Sequence, residues 1–337
     1  MNTNQGKNIL VTGAGGFIGK VLCKRLVEDR FNVTGLAMPG EKTESLEQMG
    51  VSIVRGDLTI PETVRGICEG IDTVYHLAAR VTYWGTRKEF YDTIYVATKN
   101  LLEEASGRTQ RFVYISSVVA TGLGPKHRKG VRENDPVYKT GIFYGDAKLD
   151  AEGLVWNYQR DGKISGTVIR PTNVIGPASV WVRDAVDNLS KPFLPLIDNG
   201  RWNASLVYVE NLVDAFLLAG TKDIAAGQTY HIRDDYAVTW RQYFTDIAGL
   251  MGKRIKATTF ISFPFALAWP VAGFVGALCA VLRFRTTFTR HNVGMMGRDN
   301  DIDNSKAKRE LGWSTRVKYA DALQRIGSWM KKEGLVP

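Results

Sequence analysis

The sequence predicts an α/β fold in which a doubly wound parallel sheet is followed by a smaller C-terminal cap. Apolar strand segments alternate with amphipathic helix segments in the first half, no hairpin signal joins two strands, and a glycine-patterned turn follows the first strand. Parallel strands need crossover helices, so this alternation indicates a parallel sheet. The predicted strands cover residues 8–12, 32–38, 51–54, 73–78, 111–116 and 166–170, and the predicted helices among them cover 16–29, 44–49, 61–69 and 89–106.

The composition is that of an ordinary globular protein. The chain has 337 residues, of which 44% are hydrophobic and 23% charged, and its formal net charge is +10. A positive charge suits anionic lipid or a phosphorylated ligand, whereas the missing zinc-ligand spacing and basic block argue against nucleic acid. Cys23, Cys68 and Cys279 are scattered and the N-terminus is polar, without a signal peptide. We therefore expect a cytoplasmic protein with reduced cysteines.

The turn after the first strand reads Gly13-x-x-Gly16-x-x-Gly19. In this pattern the first glycine allows a tight turn and the second lets backbone amides approach a pyrophosphate. The third glycine lets the following helix pack on the strand. A plain tight turn is the alternative, but the flanking strand and helix favour a Rossmann-type dinucleotide site. Phe17 and Ile18 open the helix and belong to the predicted site.

Two further strand ends are predicted to contact the cofactor. Asp57 and Leu58 follow the third strand, where the Asp57 carboxylate can accept a hydrogen bond from an adenine amino group. A helix-capping aspartate is the alternative. Ala78 and Ala79 follow the fourth strand, where small side chains admit the cofactor. His76 on that strand is interpreted as a packed histidine rather than a catalyst.

The end of the second strand bears on the choice of cofactor. An NAD site usually carries an acidic residue there to bind the ribose hydroxyls. Residues 35–40 contain no acid, and Glu41 follows with Lys42 beside it. The missing acid removes a repulsion against a 2′-phosphate, so the sequence favours NADP(H). No arginine stands there to bind that phosphate, so NAD(H) remains the alternative.

Tyr144 and Lys148 lie four residues apart on a predicted helix and therefore share one face. A free tyrosine has a pKa of about 10 and is a poor base at neutral pH. A nearby ammonium and a positive nicotinamide would lower that pKa, and the lysine could also hold the nicotinamide ribose. Ser117 ends the fifth strand and could donate a hydrogen bond to a substrate oxygen. A surface helix with an ordinary polar pair is the alternative.

The pattern loosens beyond Pro171. Prolines recur in predicted loops at residues 177–195, and helices are predicted at 209–219 and 240–250. We therefore predict a nucleotide-binding domain over residues 1–171. Residues 172–337 are predicted to form a mixed substrate-binding region, some segments of which return to the sheet.

Several motifs, in this order, resemble those of the extended short-chain dehydrogenase/reductases. They are TGAGGFIG at 12–19, GDL at 56–58, HLAA at 76–79, YISS at 114–117, YGDAK at 144–148, RPTNVIGP at 170–177, VYVEN at 207–211 and SKAKRELGW at 305–313. The resemblance implies Ser117, Tyr144 and Lys148 as the catalytic set and nicotinamide contacts from Pro171 and Val174. One departure concerns the long helix, where Ile94 replaces an asparagine that the family often uses in a proton relay.

The branch of this family is indicated by a missing pair. Sugar-nucleotide epimerases and dehydratases usually have Arg-Asp where this chain has Ala204-Ser205, although Arg201 lies close by. The chain more closely resembles 3β-hydroxysteroid dehydrogenases, sterol-decarboxylating dehydrogenases, 2-alkyl-3-oxoalkanoate reductases and dihydroflavonol-type reductases. That resemblance implies an NAD(P)-dependent oxidoreductase for a secondary alcohol or ketone of a bulky hydrophobic substrate, sterol-like or long-acyl. It also implies a homodimer formed through the long helices.

Two alternatives to this function stay open. One is a sugar-nucleotide epimerase or dehydratase that retains NAD, and the other is a non-catalytic, cofactor-binding membrane scaffold. The membrane-scaffold alternative is based on residues 257–285. The first 26 of these carry no charge and include several aromatic side chains, and Arg283 and Arg285 follow them. Pro264 and Pro270 are expected to interrupt this run, which favours a monotopic membrane contact on the cytoplasmic face. A lid or core helix of a soluble enzyme and a spanning helix are the alternatives.

Overall fold

The computed structural model describes residues 6–252, 260–282, 284 and 286–336. Its strands are β1 (Asn8–Thr12), β2 (Asn32–Ala37), β3 (Ser52–Arg55), β4 (Thr73–His76), β5 (Arg111–Ile115), β6 (Arg128–Val131), β7 (Gly166–Pro171), β8 (Asn173–Ile175), β9 (Leu194–Ile197), β10 (Leu206–Tyr208), β11 (Thr229–Ile232), β12 (Phe260–Phe263) and β13 (Asn300–Ile302). Seven of these form the central sheet in the order β11-β7-β5-β4-β1-β2-β3, with every neighbouring pair parallel. The predicted doubly wound parallel sheet is thus confirmed.

Helices flank this sheet and build the region beyond it. They are α1 (Phe17–Glu28), α2 (Glu44–Glu47), α3 (Arg87–Tyr91), α4 (Ala97–Ala105), α5 (Phe143–Arg160), α6 (Val180–Leu189), α7 (Val209–Thr221), α8 (Trp240–Leu250), α9 (Phe265–Leu282), α10 (Arg290–Gly297) and α11 (Tyr319–Lys332). A π-helical turn at Asp92–Val96 joins α3 to α4, so the long helix predicted over 89–106 is continuous but locally widened.

Two helix predictions are wrong. The helix expected over 61–69 is a 3₁₀ turn at Pro61–Val64, because Gly66 takes a positive φ of 74° that ends it. Pro270 was expected to interrupt the apolar run, yet α9 continues through it for 18 residues. Pro264 instead precedes the helix, and the segment before it, Phe260–Phe263, pairs as β12 with β9. Residues 257–259, 283 and 285 of the predicted membrane segment lie outside the described residues.

Alternating strand side chains fill two cores on opposite faces of the sheet. On β1, Ile9 and Val11 pack with α1 and α7, whereas Leu10 packs on the other face with α4 and α5. A third core around Trp240 and Ile326 joins α6, α8 and α11 beyond the sheet. The carboxyl ends of the strands lie between these cores, where a doubly wound fold usually binds its ligand.

After β7 the chain leaves the central sheet, and it returns to this sheet at β11. β11 pairs with β7, and the buried Asp234 just beyond β11 accepts hydrogen bonds from Tyr208 N at 2.7 Å and Asn211 Nδ2 at 2.9 Å. Trp313 Nε1 donates to Asn211 O at 2.7 Å. The motif at 305–313 is therefore attached, through Trp313, to the motif at 207–211 at the start of α7. The domain boundary at residue 171 stays a prediction.

Candidate active site

The glycine turn is held against the end of β4 by close backbone packing. Gly13 has a φ of 67°, and a Cβ atom there would lie 2.9 Å from Ala78 N. A Cβ atom on Gly19 would lie 2.1 Å from Gly13 O, so only glycine lets α1 start this close to the turn. Thr12 Oγ1 accepts a hydrogen bond from Ala78 N at 3.1 Å. The turn is thereby fixed with its backbone open to a ligand.

His76 holds this region together rather than acting on a substrate. Its Nδ1 lies 2.7 Å from Thr12 Oγ1 and its Nε2 lies 2.9 Å from Thr98 Oγ1, both buried. Burial lowers the pKa of His76 to about 3, so the imidazole is neutral at physiological pH. It links β1, β4 and α4, in agreement with the interpretation of a packed strand histidine.

A cavity of about 430 Å³ runs from the glycine turn to α5 along the carboxyl ends of the strands. Most of the predicted site residues line it. They are Gly13, Gly16, Phe17, Ile18, Gly19, Ala78, Ala79, Ser117, Tyr144, Lys148, Pro171 and Val174. The sequence-based set thus converges on one cavity from five separate segments of the chain.

Asp57 and Leu58 are not brought into this cavity. Oδ1 of Asp57 accepts hydrogen bonds from Thr59 N and Thr59 Oγ1, both at 2.8 Å, which closes a local turn. Leu58 is buried in the core beneath α4. The alternative of a helix-capping aspartate does not describe these contacts either, because Asp57 closes a loop turn and Ile60 precedes the 3₁₀ turn at Pro61–Val64.

The catalytic helix packs unusually close to the segment that carries Ser117. A Cβ atom on Gly145 would lie 2.8 Å from Val119 Cγ1 and 2.9 Å from Val119 O. The carboxylate of Asp146 accepts hydrogen bonds from Thr140 N at 3.0 Å and Gly141 N at 3.1 Å, which anchors the start of α5. The two residues between Tyr144 and Ala147 therefore set the position of the helix.

The phenol of Tyr144 is protonated at neutral pH. Burial raises the pKa of Tyr144 to about 12, and a hydrogen bond with the Ser117 hydroxyl partly offsets this rise. The expectation that neighbouring groups would lower this pKa is wrong for the protein's own residues, because desolvation of the phenol outweighs them. Ser117 Oγ accepts from Val119 N at 3.2 Å, and its own proton is directed to the Tyr144 oxygen, because this hydrogen bond favours the phenolate.

Lys148 is buried beneath Tyr144. Its Nζ donates to Ile115 O at 2.6 Å and lies 4.8 Å from the ring centroid of Tyr114. Burial lowers the pKa of Lys148 to about 7, while the Glu152 carboxylate acts in the opposite direction. The charged form of Lys148 has three N–H donors, and burial keeps water away from them. Ribose hydroxyl groups could accept hydrogen bonds from the donors that do not bind Ile115 O.

The sequence analysis missed several residues of the site. Tyr83, Trp181, His291 and Met295 also line the cavity. The ring of His291 stacks on Tyr144 with centroids 5.7 Å apart and planes 26° apart, and its edge meets Tyr83 at 5.5 Å. Burial lowers the pKa of His291 to about 4, so this ring is neutral. No motif surrounds His291, and its position follows only from the fold of α9 and α10.

The residues present fit a nicotinamide dinucleotide. The glycine turn leaves exposed backbone at Gly16, small side chains flank it, and the far end of the cavity holds a buried lysine and a tyrosine. A phosphate-binding turn at one end and a proton donor at the other match the two ends of such a cofactor.

Comparisons with known proteins agree with this site. Residues 9–232 match the NAD dependent epimerase/dehydratase family. The chain is 26% identical to 2-alkyl-3-oxoalkanoate reductase of Shewanella oneidensis, covering 94% of this chain and 84% of that protein. It is 24% identical to the human decarboxylating sterol-4-alpha-carboxylate 3-dehydrogenase, covering 96% of this chain and 88% of that one.

The fold has solved counterparts at lower identity. The structure of UDP-glucose 4-epimerase from Thermotoga maritima superimposes with a TM-score of 0.77 at 22% identity, over 97% of this chain and 99% of that one. This likeness supports the architecture alone. The family match and the two named relatives confirm the resemblance to extended short-chain dehydrogenase/reductases and to their 3β-hydroxysteroid dehydrogenase-like branch. The chain therefore belongs to the NAD dependent epimerase/dehydratase family and is a nicotinamide-dependent enzyme.

Proposed function

We propose that this enzyme interconverts a ketone and a secondary alcohol on a bulky hydrophobic substrate with a nicotinamide cofactor. The observation that carries the proposal is the convergence of Ser117, Tyr144 and Lys148 on the cavity that begins at the glycine turn. The named relatives, a reductase and a dehydrogenase of lipophilic compounds, support the same class of reaction.

The chain's own residues supply the proton chemistry, while the bound nicotinamide supplies or accepts the hydride. Ser117 donates a hydrogen bond to the substrate oxygen and holds it beside Tyr144. Tyr144 passes its phenolic proton to that oxygen when a ketone is reduced. Lys148 binds ribose hydroxyl groups and favours the phenolate that remains.

The protonation state of Tyr144 supports reduction at neutral pH. With a pKa near 12, the phenol is protonated and ready to act as an acid. Oxidation of an alcohol needs the phenolate, which burial disfavours until a positive charge is bound nearby. The same residue can therefore act as an acid with the reduced cofactor and as a base once the positively charged oxidised nicotinamide is bound.

Loss of the Tyr144 hydroxyl tests this mechanism. Tyr144→Phe is expected to lower kcat by about 10²- to 10⁴-fold, because the variant lacks the general acid. The measurement follows nicotinamide absorbance with a panel of apolar ketones. Tyr138→Phe is the matched control, since Tyr138 is exposed and packs on Gly122. Equal turnover by Tyr144→Phe and wild type would refute the mechanism.

The structure supports an apolar substrate rather than a sugar nucleotide. Ala204 is fully buried, and Ser205 Oγ donates to Asn300 O at 3.0 Å. The side chain of Arg201 is exposed and stacks over Trp202. None of these three residues lines the catalytic cavity. NAD that co-purifies and undergoes no net change during turnover would instead indicate an epimerase.

For the cofactor, we infer a preference for NAD(H), the alternative left open by the sequence. The sequence-based preference for NADP(H) rested on the missing acid at the end of β2. In the structure Glu41 folds back to that place, where its Oε2 accepts from Met38 N at 3.0 Å. A Cβ atom on Gly15 would lie 1.9 Å from Oε1 of Glu41, so the carboxylate rests on the glycine turn. It suits ribose hydroxyls and repels a 2′-phosphate.

Cofactor binding checks this preference without turnover. Fluorescence titration of wild type is expected to give a lower Kd for NADH than for NADPH. Glu41→Gln should lower the ratio of the NADPH Kd to the NADH Kd by about tenfold or more. Glu44→Gln, at the exposed start of α2 three residues along the chain, is the control. Tighter NADPH binding by wild type would reverse the assignment.

We also propose that α9 seats the enzyme on a membrane surface, on the cytoplasmic face. Within the described residues, α9 is the one helix whose length and apolar composition could cross a bilayer, and only 17% of it is buried. Leu267, Phe274 and Val281 share one face and are 65%, 71% and 80% exposed. The opposite side packs against α10, with Ala268 and Ala272 buried. A helix attached along its length in this way is suited to lying in the interface.

Vesicle flotation tests the membrane contact. Wild type is expected to float with vesicles that contain anionic phospholipid, and the triple variant Leu267→Ser/Phe274→Ser/Val281→Ser is expected to stay in the lower fraction. Ile60→Ser/Ile224→Ser replaces two exposed apolar residues elsewhere and serves as the control. Wild type that remains monodisperse without detergent and never floats would disprove the contact.

A further inference from the structure

A second cavity, of about 570 Å³, lies beside the catalytic one. Its size falls within the range of about 300–1,000 Å³ that is typical of small-molecule sites. One wall is α9 and the other is the segment from Thr82 to Phe90, together with the start of α5. The cofactor cavity does not include α9, so this space is separate from the dinucleotide site.

The wall formed by α9 is made of small side chains. Its members are Ala272, Gly273, Gly276, Ala277 and Ala280. A Cβ atom on Gly276 would meet nothing within 4 Å, so open space reaches the helix backbone there. Aromatic side chains face this wall from several segments, namely Tyr83, Trp84, Phe90, Phe143 and Phe284. The cavity is therefore an apolar slot between a thin helix face and aromatic rings.

The charged residues of this cavity are engaged with the protein. The Glu89 carboxylate accepts from Thr86 N at 2.7 Å and pairs with Arg80 at 3.7 Å. The guanidinium of Arg290 lies 5.6 Å from the ring centroid of Trp269. Ionic contacts thus account for Glu89, whereas the small and aromatic side chains of the lining favour an apolar occupant.

The two cavities meet at the catalytic tyrosine. Thr82, Tyr83, Tyr144 and His291 line both of them. A ligand whose carbonyl lies at Tyr144 can thus extend away from the nicotinamide end and into the slot. The same helix carries the slot on one side and the exposed apolar face on the other.

We propose that this slot binds the alkyl tail of the substrate. The inference rests on the proposed function, because it assigns a tail site to a substrate whose carbonyl reacts at Tyr144. It commits the substrate class to ketones or alcohols with a long, thin alkyl chain.

The experiment fills the slot at Gly276. Gly276→Leu places a side chain in open space, and Gly153→Leu makes the same change on α5 where a Cβ atom also meets nothing within 4 Å. Wild type is expected to show kcat/KM values for 2-alkanones that rise from 2-butanone to 2-dodecanone by about fourfold per buried methylene. Gly276→Leu should lower the ratio of the two end values by roughly 60-fold, the equivalent of about three methylenes.

A binding measurement separates this inference from the proposed reaction. 2-Dodecanone is the probe, titrated by calorimetry against wild type and both variants. Gly276→Leu is expected to bind the probe at least tenfold more weakly, while Gly153→Leu matches wild type. Probe binding without turnover of any ketone would refute the proposed reaction but support the slot. Equal probe binding by wild type and Gly276→Leu, or an equal loss of kcat/KM for all chain lengths, would overturn the slot.

Discussion

Gly145 controls the spacing between the proton donor and the residue that orients the substrate. It stands directly after Tyr144 and touches the backbone of Val119, two residues from Ser117. Catalysis by positioned groups depends on errors smaller than about 1 Å. The glycine between the tyrosine and the lysine is therefore part of the geometry of the site, although its side chain does nothing itself.

Gly145→Ala tests this role. The new Cβ atom would lie 2.8–2.9 Å from Val119, so α5 and the Ser117 segment must separate. We expect kcat to fall about 10- to 100-fold and the free energy of unfolding to drop by about 1–3 kcal/mol. Gly153→Ala, on an exposed part of the same helix, is expected to leave kcat unchanged and to raise the free energy of unfolding by up to about 1 kcal/mol, because alanine favours a helix over glycine. Unaltered kcat in Gly145→Ala would show that the close contact is not needed.

Lys148 makes stability depend on pH. Its pKa falls from the ordinary 10.5 to about 7 on folding, so the folded state binds fewer protons than the unfolded state between these values. The contribution of Lys148 to stability must therefore rise as the pH increases from 7 to 10.5. We expect Lys148→Met to gain most in Tm relative to wild type at pH 7 and less at pH 10. Thermal unfolding at several pH values measures this, with exposed Lys24→Met as the control. A Tm difference that grows with pH would contradict the assignment.

At this scale, the sequence could predict residues that recur at fixed spacing. Tyr144 and Lys148 are one helical turn apart, and the three glycines follow an apolar strand, so local geometry sufficed to find both. His291 could not be found in this way, because it approaches Tyr144 from more than a hundred residues away. The raised pKa of Tyr144 was also out of reach, since it depends on burial rather than on the neighbouring residue types.

An ion pair joins the catalytic helix to the sheet. Arg170 on β7 donates from Nε to Glu152 Oε1 at 2.9 Å and from Nη2 to Oε2 at 2.6 Å, and both side chains are buried. His231 on β11 lies 3.4 Å from Arg170 Nη1. Three elements around the site are thus tied by one buried guanidinium.

Removal of one partner should cost more than removal of both. Arg170→Met is expected to destabilise the protein by about 3–5 kcal/mol, because it leaves the Glu152 carboxylate buried without a partner. Glu152→Met/Arg170→Met should lose less. Urea unfolding measures both, and the exposed Lys24–Glu28 pair, 3.8 Å apart, gives a reference below about 1 kcal/mol. A double variant less stable than the single one would disprove this ranking.

Sequence periodicity predicted elements well where burial fixed them and poorly at the protein surface. The buried strands β1, β4, β5 and β7 lie within two residues of their predicted bounds. The helix expected at 61–69 failed because Gly66 can adopt a positive φ that the apolar spacing does not reveal. In α9, Pro270 did not end the helix, so a proline alone was not enough to mark a boundary.

At the scale of the whole molecule, dimerisation through the long helices of the first half stays a prediction. Light scattering after size exclusion should give twice the monomer mass in the absence of lipid. The mass should be the same for the triple α9 variant, because the apolar face of α9 is assigned to the membrane and not to a second copy. Loss of the dimer in that variant would reassign the apolar face.

Sequence analysis could only partly predict which segments of the chain belong to the central sheet and which belong to the cap. The alternation of strands and helices predicted the sheet up to residue 170, but nothing local distinguishes β11 from a strand of the cap. Its place beside β7 depends on partners such as Asp234, Asn211 and Trp313, which meet only in the folded protein.

The late arrival of β11 has a consequence for the protein during its synthesis. The sheet edge at β7 stays open until Thr229–Ile232 has left the ribosome, roughly 60 residues after β7 itself. The anchor at Trp313 comes still later. A nascent chain therefore exposes an unpaired, apolar strand edge for several seconds at ordinary elongation rates. Chaperones that cover such edges would gain access to this chain on the ribosome, before the catalytic residues are held in place.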